Sequence, residues 1–145
     1  MPDKNFWDSN LWIYLNAISE DARDVEKKNI LEALLLESSH IVVSAQVLNE
    51  VANVLLKKFQ KSEIEVKTRI EQIMIQSTVI NLGSKLTLKA LDLRGRYQFS
   101  WFDSLIVATA LEGDCASLYS EDLQANLLIE GRLRVVNPFE TVIKG

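Results

Sequence analysis

The fold is decided by the stretch Ser100-Trp101-Phe102-Asp103-Ser104-Leu105-Ile106-Val107-Ala108-Thr109-Ala110-Leu111. From Leu105 onward only Thr109 interrupts the apolar residues, and a helix that is apolar on nearly every side belongs in a protein interior. A lone carboxylate, Asp103, falls in the first turn of this helix. Burying an unpaired carboxylate is costly, so a cation, a donor or water should lie nearby. The helix N-terminus itself favours an anion, so Asp103 could simply cap the helix.

The composition indicates one ordinary folded domain, and we interpret residues 1–145 as a single domain with a buried core. Apolar residues make up 48% of the chain, which excludes disorder, and their runs are too short to span a bilayer. No signal peptide is visible, and Cys115 is the single cysteine. These features predict a reduced, cytoplasmic protein with no membrane partner. The net charge of −4 does not indicate nucleic-acid binding, although a basic patch or a bound metal can reverse the local field.

Short β-branched runs alternate with amphipathic segments along the chain. Strands are predicted at residues 5–8, 41–43, 78–82, 116–119 and 132–136. Helices are predicted at residues 11–16, 19–37, 44–59, 62–76 and 84–97, and from residue 101 onward. Ser19, Ser44 and Ser62 are predicted to cap the second, third and fourth of these helices. This alternation predicts an α/β fold with three layers, α/β/α, around a central parallel sheet of about five strands. Right-handed crossovers would align the carboxyl ends of the strands along one edge.

Four carboxylates are predicted to meet at that edge. Asp8 and Asp122 follow strands, Glu50 lies two turns into the helix after the second strand, and Asp103 opens the buried helix. Like charges so placed repel one another unless something cationic is bound. An oxygen-only ligand set without His or Cys suits Mg²⁺ or Mn²⁺ rather than zinc. Each acid also has a structural alternative. Asp8 and Asp103 could cap the helices that follow them, and Asp122 could be a turn residue. Glu50 could pair with Lys57 or Lys58, or reach solvent.

Other catalytic classes fit the sequence less well. The single histidine, His40, precedes the second strand, so a Ser-His-Asp or Cys-His nucleophile has little support. A phosphoryl-receiver domain needs an aspartate after its third strand, where Leu82-Gly83 stand. A phosphatase with an aspartyl nucleophile usually has a second acid two residues after the first, where Asn10 stands.

The acidic residues lie in four segments: Phe6-Trp7-Asp8-Ser9-Asn10, Leu48-Asn49-Glu50-Val51, Trp101-Phe102-Asp103-Ser104 and Tyr119-Ser120-Glu121-Asp122-Leu123. In order and approximate spacing, these segments resemble the motifs of the PIN-domain nucleases. The resemblance spans essentially the whole chain and implies a PIN-like domain with metal-dependent endoribonuclease activity. It implies that Mg²⁺ or Mn²⁺ is held by four catalytic carboxylates, Asp8, Glu50, Asp103 and Asp122. It also implies polar supporting positions at Ser9, Asn10, Ser104 and Ser120, and it points to Asp122 rather than Glu121 as the fourth acid.

The resemblance also implies partners. Many single-domain members of this size are VapC-type toxins of toxin–antitoxin modules, which are usually dimers neutralised by an antitoxin. We therefore expect an RNA substrate, a possible cognate antitoxin and a homodimer, for which the exposed Leu and Ile residues of helices 19–37 and 62–76 are candidate contacts. The alternatives are an antitoxin-independent nuclease in RNA processing and a non-catalytic PIN binding module. Non-catalytic members typically lack one or more acids, whereas this chain keeps all four.

A nuclease would also need groups that hold RNA. The candidate cations for phosphate contacts are Lys57, Lys58, Arg94 and Arg96, although each could belong to a solvated helix face. The candidate rings for stacking on unpaired bases are Tyr97, Phe99 and Trp101, although core packing is open to them as well.

Overall fold

The computed structural model describes residues 3–81 and 83–140, which form six strands and six helices. The strands are β1 (Asn5–Trp7), β2 (Ile41–Ser44), β3 (Thr78–Ile80), β4 (Ser117–Tyr119), β5 (Leu128–Ile129) and β6 (Leu133–Val136). The helices are α1 (Ser9–Asn16), α2 (Ala22–Glu37), α3 (Ala45–Lys57), α4 (Glu63–Gln76), α5 (Lys85–Tyr97) and α6 (Trp101–Glu112). No helix in this part of the chain has the length and apolar character that a membrane span requires.

All six strands join one sheet in the order β3-β2-β1-β4-β6-β5. Every neighbouring pair is parallel except β5 and β6, which are antiparallel. The predicted three-layer α/β/α fold around a central parallel sheet is confirmed, except that the short edge strand β5 is antiparallel to β6. The sequence predicted about five strands and missed β5, because two residues are too short to show a strand periodicity.

The ends of most elements follow local capping chemistry. Ser44 and Ser62 cap α3 and α4 as predicted, each accepting a hydrogen bond from the backbone N–H three residues later. The prediction that Ser19 caps α2 is wrong, because α2 begins at Ala22 and the Asp21 side chain accepts the first capping bond. The strand predicted over residues 78–82 is observed over Thr78–Ile80, and Leu82 lies outside the described residues.

Helix α6 is the buried helix that the sequence predicted. Its residues from Ile106 to Leu111 are all buried, and it packs against α5 and against strands β2 and β4. Elsewhere in the core, Trp7 of β1 and Trp12 of α1 are fully buried, with ring centroids 5.0 Å apart. Burial of two large aromatic rings fixes the corner between β1 and α1, where Asp8 lies.

The order in which successive strands are added to the sheet changes direction at β1. Strands β2 and β3 lie on one side of β1, and β4 lies on the other. In open α/β sheets, ligands bind in the crevice outside the carboxyl ends of the strands at such a switch point. Asp8 directly follows β1 and Ser120 directly follows β4, so the fold brings two of the acidic segments to this crevice.

Candidate metal centre

Asp8 is the buried member of the acidic cluster, with 3% of its surface exposed. Its Oδ1 accepts a 2.7 Å hydrogen bond from the Ser9 backbone N–H, so Asp8 caps α1, as the alternative interpretation of this acid predicted. Its Oδ2 accepts a 2.8 Å bond from the Ser120 hydroxyl. Burial raises the pKa of Asp8 to about 6 although both bonds oppose the rise, and the charges of Asp103 and Glu50 add to it. No Lys, Arg or His among residues 3–81 and 83–140 forms an ion pair with Asp8.

Glu50 is held at the crevice by neutral donors. The Ser9 hydroxyl donates a 2.7 Å hydrogen bond to Glu50 Oε2, and Gln46 Nε2 donates a 2.8 Å bond to Oε1. The first bond ties α1 to α3 across 41 positions of sequence. Neutral donors orient a carboxylate without offsetting its charge, whereas a lysine partner would offset it.

Asp122 lies in the turn after β4 and is the exposed member of the cluster. Asn10 Nδ2 donates a 3.1 Å hydrogen bond to Asp122 Oδ2, and the Asp122 backbone N–H donates a 3.1 Å bond to the Ser120 hydroxyl. Partial withdrawal from water, and then the charges of Glu121 and Asp103, raise the pKa of the Asp122 carboxyl. The charge of Asp103 therefore acts on both strand-end aspartates.

The Asn10 side chain also presents an unused oxygen. Asp122 accepts from Asn10 Nδ2, and this fixes the orientation of the amide because a carboxylate has no proton to donate. Asn10 Oδ1 is buried and has no hydrogen-bond partner among the residues that the structure describes. A buried amide oxygen without a donor is costly, and amide oxygens are ligands of hard divalent cations.

Asp103 lies half-buried in the first turn of α6, but it does not cap that helix. The cap is Ser100, whose hydroxyl accepts a 3.1 Å hydrogen bond from the Asp103 backbone N–H. No described donor forms a side-chain hydrogen bond with the Asp103 carboxylate. Its interpretation as a helix cap is therefore wrong, and its charge remains available to the cluster.

The fourth predicted supporting residue, Ser104, stands apart from the other three. It is fully buried, and its hydroxyl donates a 2.8 Å hydrogen bond to the Ser100 carbonyl within the helix. The structure therefore bonds Ser9, Asn10 and Ser120 to carboxylates, but it bonds Ser104 to the α6 backbone.

Glu121 is turned away into a separate network that the sequence did not reveal. The Tyr14 hydroxyl donates to Glu121 Oε1, and Lys27 Nζ donates a 2.9 Å bond to Oε2 and a 3.2 Å bond to the Tyr14 oxygen. Lys27 lies 94 positions before Glu121, so no local signal could pair them. Glu121 forms an ion pair with a lysine, whereas the neighbouring Asp122 is bonded by an amide.

The ligand chemistry of the cluster fits a hard divalent cation, because every available atom is a carboxylate or amide oxygen. Within the described part of the chain, no three His, Cys, Asp or Glu side chains already stand at metal-ligand spacing. Carboxylates without a cation repel one another, so their side chains would have to rotate inward to hold an ion. The fit lies in the kind and position of the oxygen atoms rather than in a preformed coordination shell.

The four predicted RNA-contacting cations differ in whether another side chain of the protein contacts them. Arg96 is engaged in ion pairs with Asp92 and Glu130. Lys58 Nζ lies 5.6 Å from the centroid of the Phe59 ring. Lys57 and Arg94 are exposed, and neither forms an ion pair with a described carboxylate.

The predicted stacking rings mostly serve the fold. Tyr97 and Phe99 stack on each other with centroids 5.4 Å apart, and Trp101 is half-buried against the core. The exposed ring in this region is Phe102, with 64% of its surface accessible, which the sequence analysis did not single out. The one sign in the sequence that pointed to Phe102 was its position directly before Asp103. The apolar pattern of a helix does not show which residue of its first turn faces solvent.

Comparison with known proteins is consistent with this architecture. Three similar solved structures are a toxin-antitoxin complex from Klebsiella pneumoniae, VapC20 from Mycobacterium tuberculosis, described as a sarcin-ricin loop cleaving toxin, and VapBC2 from Rickettsia felis bound to a DNA fragment from their promoter. The first has a TM-score of 0.68 at 20% identity, and the match covers 93% of this chain and 98% of that chain. VapC20 has a TM-score of 0.60 at 18% identity, and the match covers 79% of this chain and 86% of that chain. VapBC2 has a TM-score of 0.60 at 17% identity, and the match covers 92% of this chain and 99% of that chain.

At these identities the structural likeness shows the fold alone, and no curated protein matches the chain. The model of the PIN domain family matches residues 6–129. This match extends from β1 through β5 and includes all four acidic segments. The chain belongs to the PIN domain family.

Proposed function

We propose that this chain is a metal-dependent endoribonuclease that hydrolyses RNA phosphodiester bonds. One observation carries the proposal: three carboxylates from separate segments of the chain are each held by a neutral donor, Glu50 by Ser9, Asp8 by Ser120 and Asp122 by Asn10. Acids with a purely structural role would be expected to pair with lysines or arginines, as Glu121 does. Neutral donors fix the position of a carboxylate and leave its charge for a ligand.

The residues that would hold Mg²⁺ or Mn²⁺ are Asp8, Glu50, Asp103 and Asp122. When bound, such an ion supplies a water of lowered pKa and offsets negative charge at the phosphoryl group. The Ser9 and Ser120 hydroxyls would keep their carboxylates oriented, since each can donate to only one of them at a time. Hydrolysis forms a bond from a water oxygen to phosphorus and breaks the bond to the leaving ribose oxygen, so no side chain of the cluster acts as a nucleophile.

A role as the toxin of a toxin–antitoxin module belongs to the same proposal. The toxin role is supported by the fold that the chain shares with a toxin-antitoxin complex and with VapBC2. The proposal also includes a cytoplasmic location and a homodimer. An antitoxin of this toxin would place an arginine in the acidic cluster. A guanidinium matches paired carboxylates with two parallel hydrogen bonds, and it would compete with the metal.

RNA cleavage by the purified chain tests the nuclease. We expect an unstructured RNA to be cut in Mn²⁺ or Mg²⁺, to survive in a chelator, and to be cut again when the ion is restored. The Asp122→Asn variant, purified in parallel, controls for contaminating ribonuclease. Cleavage that persists in the chelator, or no cleavage under any of these conditions, would contradict the proposal.

Expression in cells tests the toxin. We expect growth arrest when this chain is expressed alone and relief when the neighbouring gene is co-expressed. Harmless expression of active, soluble protein would remove the toxin and leave the nuclease.

A further inference from the structure

A groove adjoins the acidic cluster on the side of α3 and α6. It has a volume of about 490 Å³ and is lined by Gln46, Asn49, Glu50, Asn53, Phe102 and Leu105. Glu50 belongs both to this groove and to the carboxylate cluster, where it accepts from Ser9. Anything that occupies the groove is therefore directly beside the proposed reaction centre.

Phe102 forms the aromatic wall of the groove. Its ring is largely exposed, and its backbone carbonyl accepts a 3.4 Å hydrogen bond from Gln46 Nε2. Gln46 also donates to Glu50, so it couples the start of α6 to α3. A single exposed phenylalanine is ordinary on a protein surface. This one shares a groove with three amide side chains and with Glu50 of the candidate metal centre.

Two free amides face the same groove from α3. Asn49 and Asn53 are four residues apart on one helical face, and both are exposed. Neither side chain has a hydrogen-bond partner among residues 3–81 and 83–140, whereas Gln46 is already bonded to Glu50. Each amide offers a donor and an acceptor side by side, which is the pattern that the edge of a nucleobase complements.

We propose that this groove binds one unpaired nucleobase of the RNA, stacked on the Phe102 ring with its edge toward Asn49 and Asn53. The inference rests on the proposed ribonuclease function and names a substrate subsite for it. Proteins read single-stranded RNA by stacking splayed bases on aromatic rings and by bonding their edges. A protein partner fits less well, because the groove has one exposed ring among amides and a carboxylate rather than a broad apolar patch.

The first test compares Phe102→Ala and Phe102→Trp with a matched control, Leu88→Ala. Leu88 is an apolar side chain on α5 that is 73% exposed and outside the groove. For cleavage of an unstructured RNA in Mn²⁺, we expect Phe102→Ala to raise KM roughly 5- to 150-fold, which is the range for loss of one stacked base. We expect Phe102→Trp to restore KM, and we expect Leu88→Ala to leave it unchanged. Mn²⁺ affinity measured by calorimetry should be the same in all four proteins.

The second test locates the base. Once the bond cut by the wild-type chain is mapped, each flanking nucleotide is replaced in turn by an abasic residue. One replacement should raise KM as much as Phe102→Ala does, and combining the two changes should cost no more than either alone. Additive effects would overturn the stacking contact. Replacing both Asn49 and Asn53 by Ala should reduce the preference for the identity of that base.

The outcomes separate the subsite from the activity. A wild-type chain that cuts no RNA in Mn²⁺ would overturn the proposed function and the subsite together. A wild-type chain that cuts RNA, with an unchanged KM in Phe102→Ala, would overturn only the subsite. A Phe102→Ala variant whose solution mass falls from dimer to monomer in parallel with its loss of cleavage would assign Phe102 to an interface between copies and would also overturn the subsite.

Discussion

The buried Ser120 hydroxyl donates a 2.8 Å hydrogen bond to Asp8 Oδ2 and so joins the carboxyl ends of β4 and β1. The same oxygen accepts a 3.1 Å bond from the Asp122 backbone N–H. One hydroxyl therefore fixes two acidic segments that are more than a hundred residues apart in sequence. This bond lies at the switch point of the sheet, where the fold favours ligand binding.

Replacing Ser120 by Ala should weaken metal binding and stability together. The Asp8 carboxylate would lose a donor in a buried site, and we expect a loss of about 1–3 kcal/mol in the free energy of unfolding without metal. We expect Mn²⁺ affinity to fall about 10- to 100-fold, because Asp8 and Asp122 would both lose their orientation. Urea unfolding in a chelator and calorimetric titration with Mn²⁺ measure the two effects.

Ser104→Ala is the matched control for Ser120→Ala. Both serines are fully buried, but the Ser104 hydroxyl bonds only the Ser100 carbonyl. We expect Ser104→Ala to leave Mn²⁺ affinity unchanged and to alter stability by less than about 1 kcal/mol, since such bonds within a helix add little. If both variants lowered Mn²⁺ affinity equally, the special role of Ser120 would be refuted.

The raised pKa of Asp8 predicts that stability falls with rising pH when metal is absent. Burial raises this pKa from 3.8 to about 6, so the folded chain binds the proton more tightly than the unfolded chain. The resulting stabilisation is fully present below about pH 4 and is lost as the pH rises through about 6. Between about pH 5 and about pH 7, we expect the wild type to lose about 1 kcal/mol more than Asp8→Asn.

Mn²⁺ should reverse this pH dependence. The ion binds the ionised carboxylate, so the stabilisation that it confers should grow as the pH rises through about 6. Melting temperatures measured with Mn²⁺ and with a chelator, across this pH range, test both statements. No effect of Mn²⁺ on the melting temperature at any pH would favour the non-catalytic binding module.

The neighbouring acids Glu121 and Asp122 should respond in opposite ways to the same loss of charge. Glu121→Gln removes the ion pair with Lys27, so we expect a loss of about 1 kcal/mol in stability and cleavage within about twofold of wild type. Asp122→Asn should lower cleavage about 10-fold or more and leave stability nearly unchanged. Steady-state cleavage and urea unfolding of the two variants test the assignment of Asp122, rather than Glu121, to the metal centre. A larger loss of cleavage in Glu121→Gln than in Asp122→Asn would show that this assignment is wrong.

The effect of replacing a predicted RNA-contacting cation should depend on whether that cation forms an ion pair within the protein. Arg96 bridges Asp92 and Glu130, so Arg96→Ala should lower stability slightly and leave RNA affinity nearly unchanged. Lys57→Ala and Arg94→Ala should leave stability unchanged. Each should reduce the slope of log affinity against log salt by about 0.7, if each contacts one phosphate. Binding to single-stranded RNA at several salt concentrations, in an inactive background, measures the slope.

Features set by neighbouring residues were predictable from the sequence. The apolar run from Leu105 identified the buried helix, and Ser44 and Ser62 marked two helix starts, because each signal is local. The start of α2 was mispredicted because Ser19 and Asp21 are both capping residue types, and only the folded backbone selects between them.

Features set by distant contacts were not predictable. The pairing of Glu121 with Lys27 and that of Arg96 with Glu130 join separate elements, and no sequence period encodes them. The acidic residues could be placed at one edge because parallel topology aligns strand ends. The donors that hold each acid depend on side-chain geometry, so Ser104 could not be distinguished in advance from the three donors that bond carboxylates.

The Asp103→Asn variant tests the four-carboxylate mechanism most directly. Ser100 caps α6, so the Asp103 carboxylate is not needed for the helix, and its removal relieves repulsion on Asp8 and Asp122. RNA cleavage in Mn²⁺ and unfolding in a chelator are measured on one preparation free of other ribonucleases. The account predicts a loss of cleavage of at least about 100-fold, with metal-free stability unchanged or up to about 1 kcal/mol higher. Cleavage close to that of the wild type would contradict it.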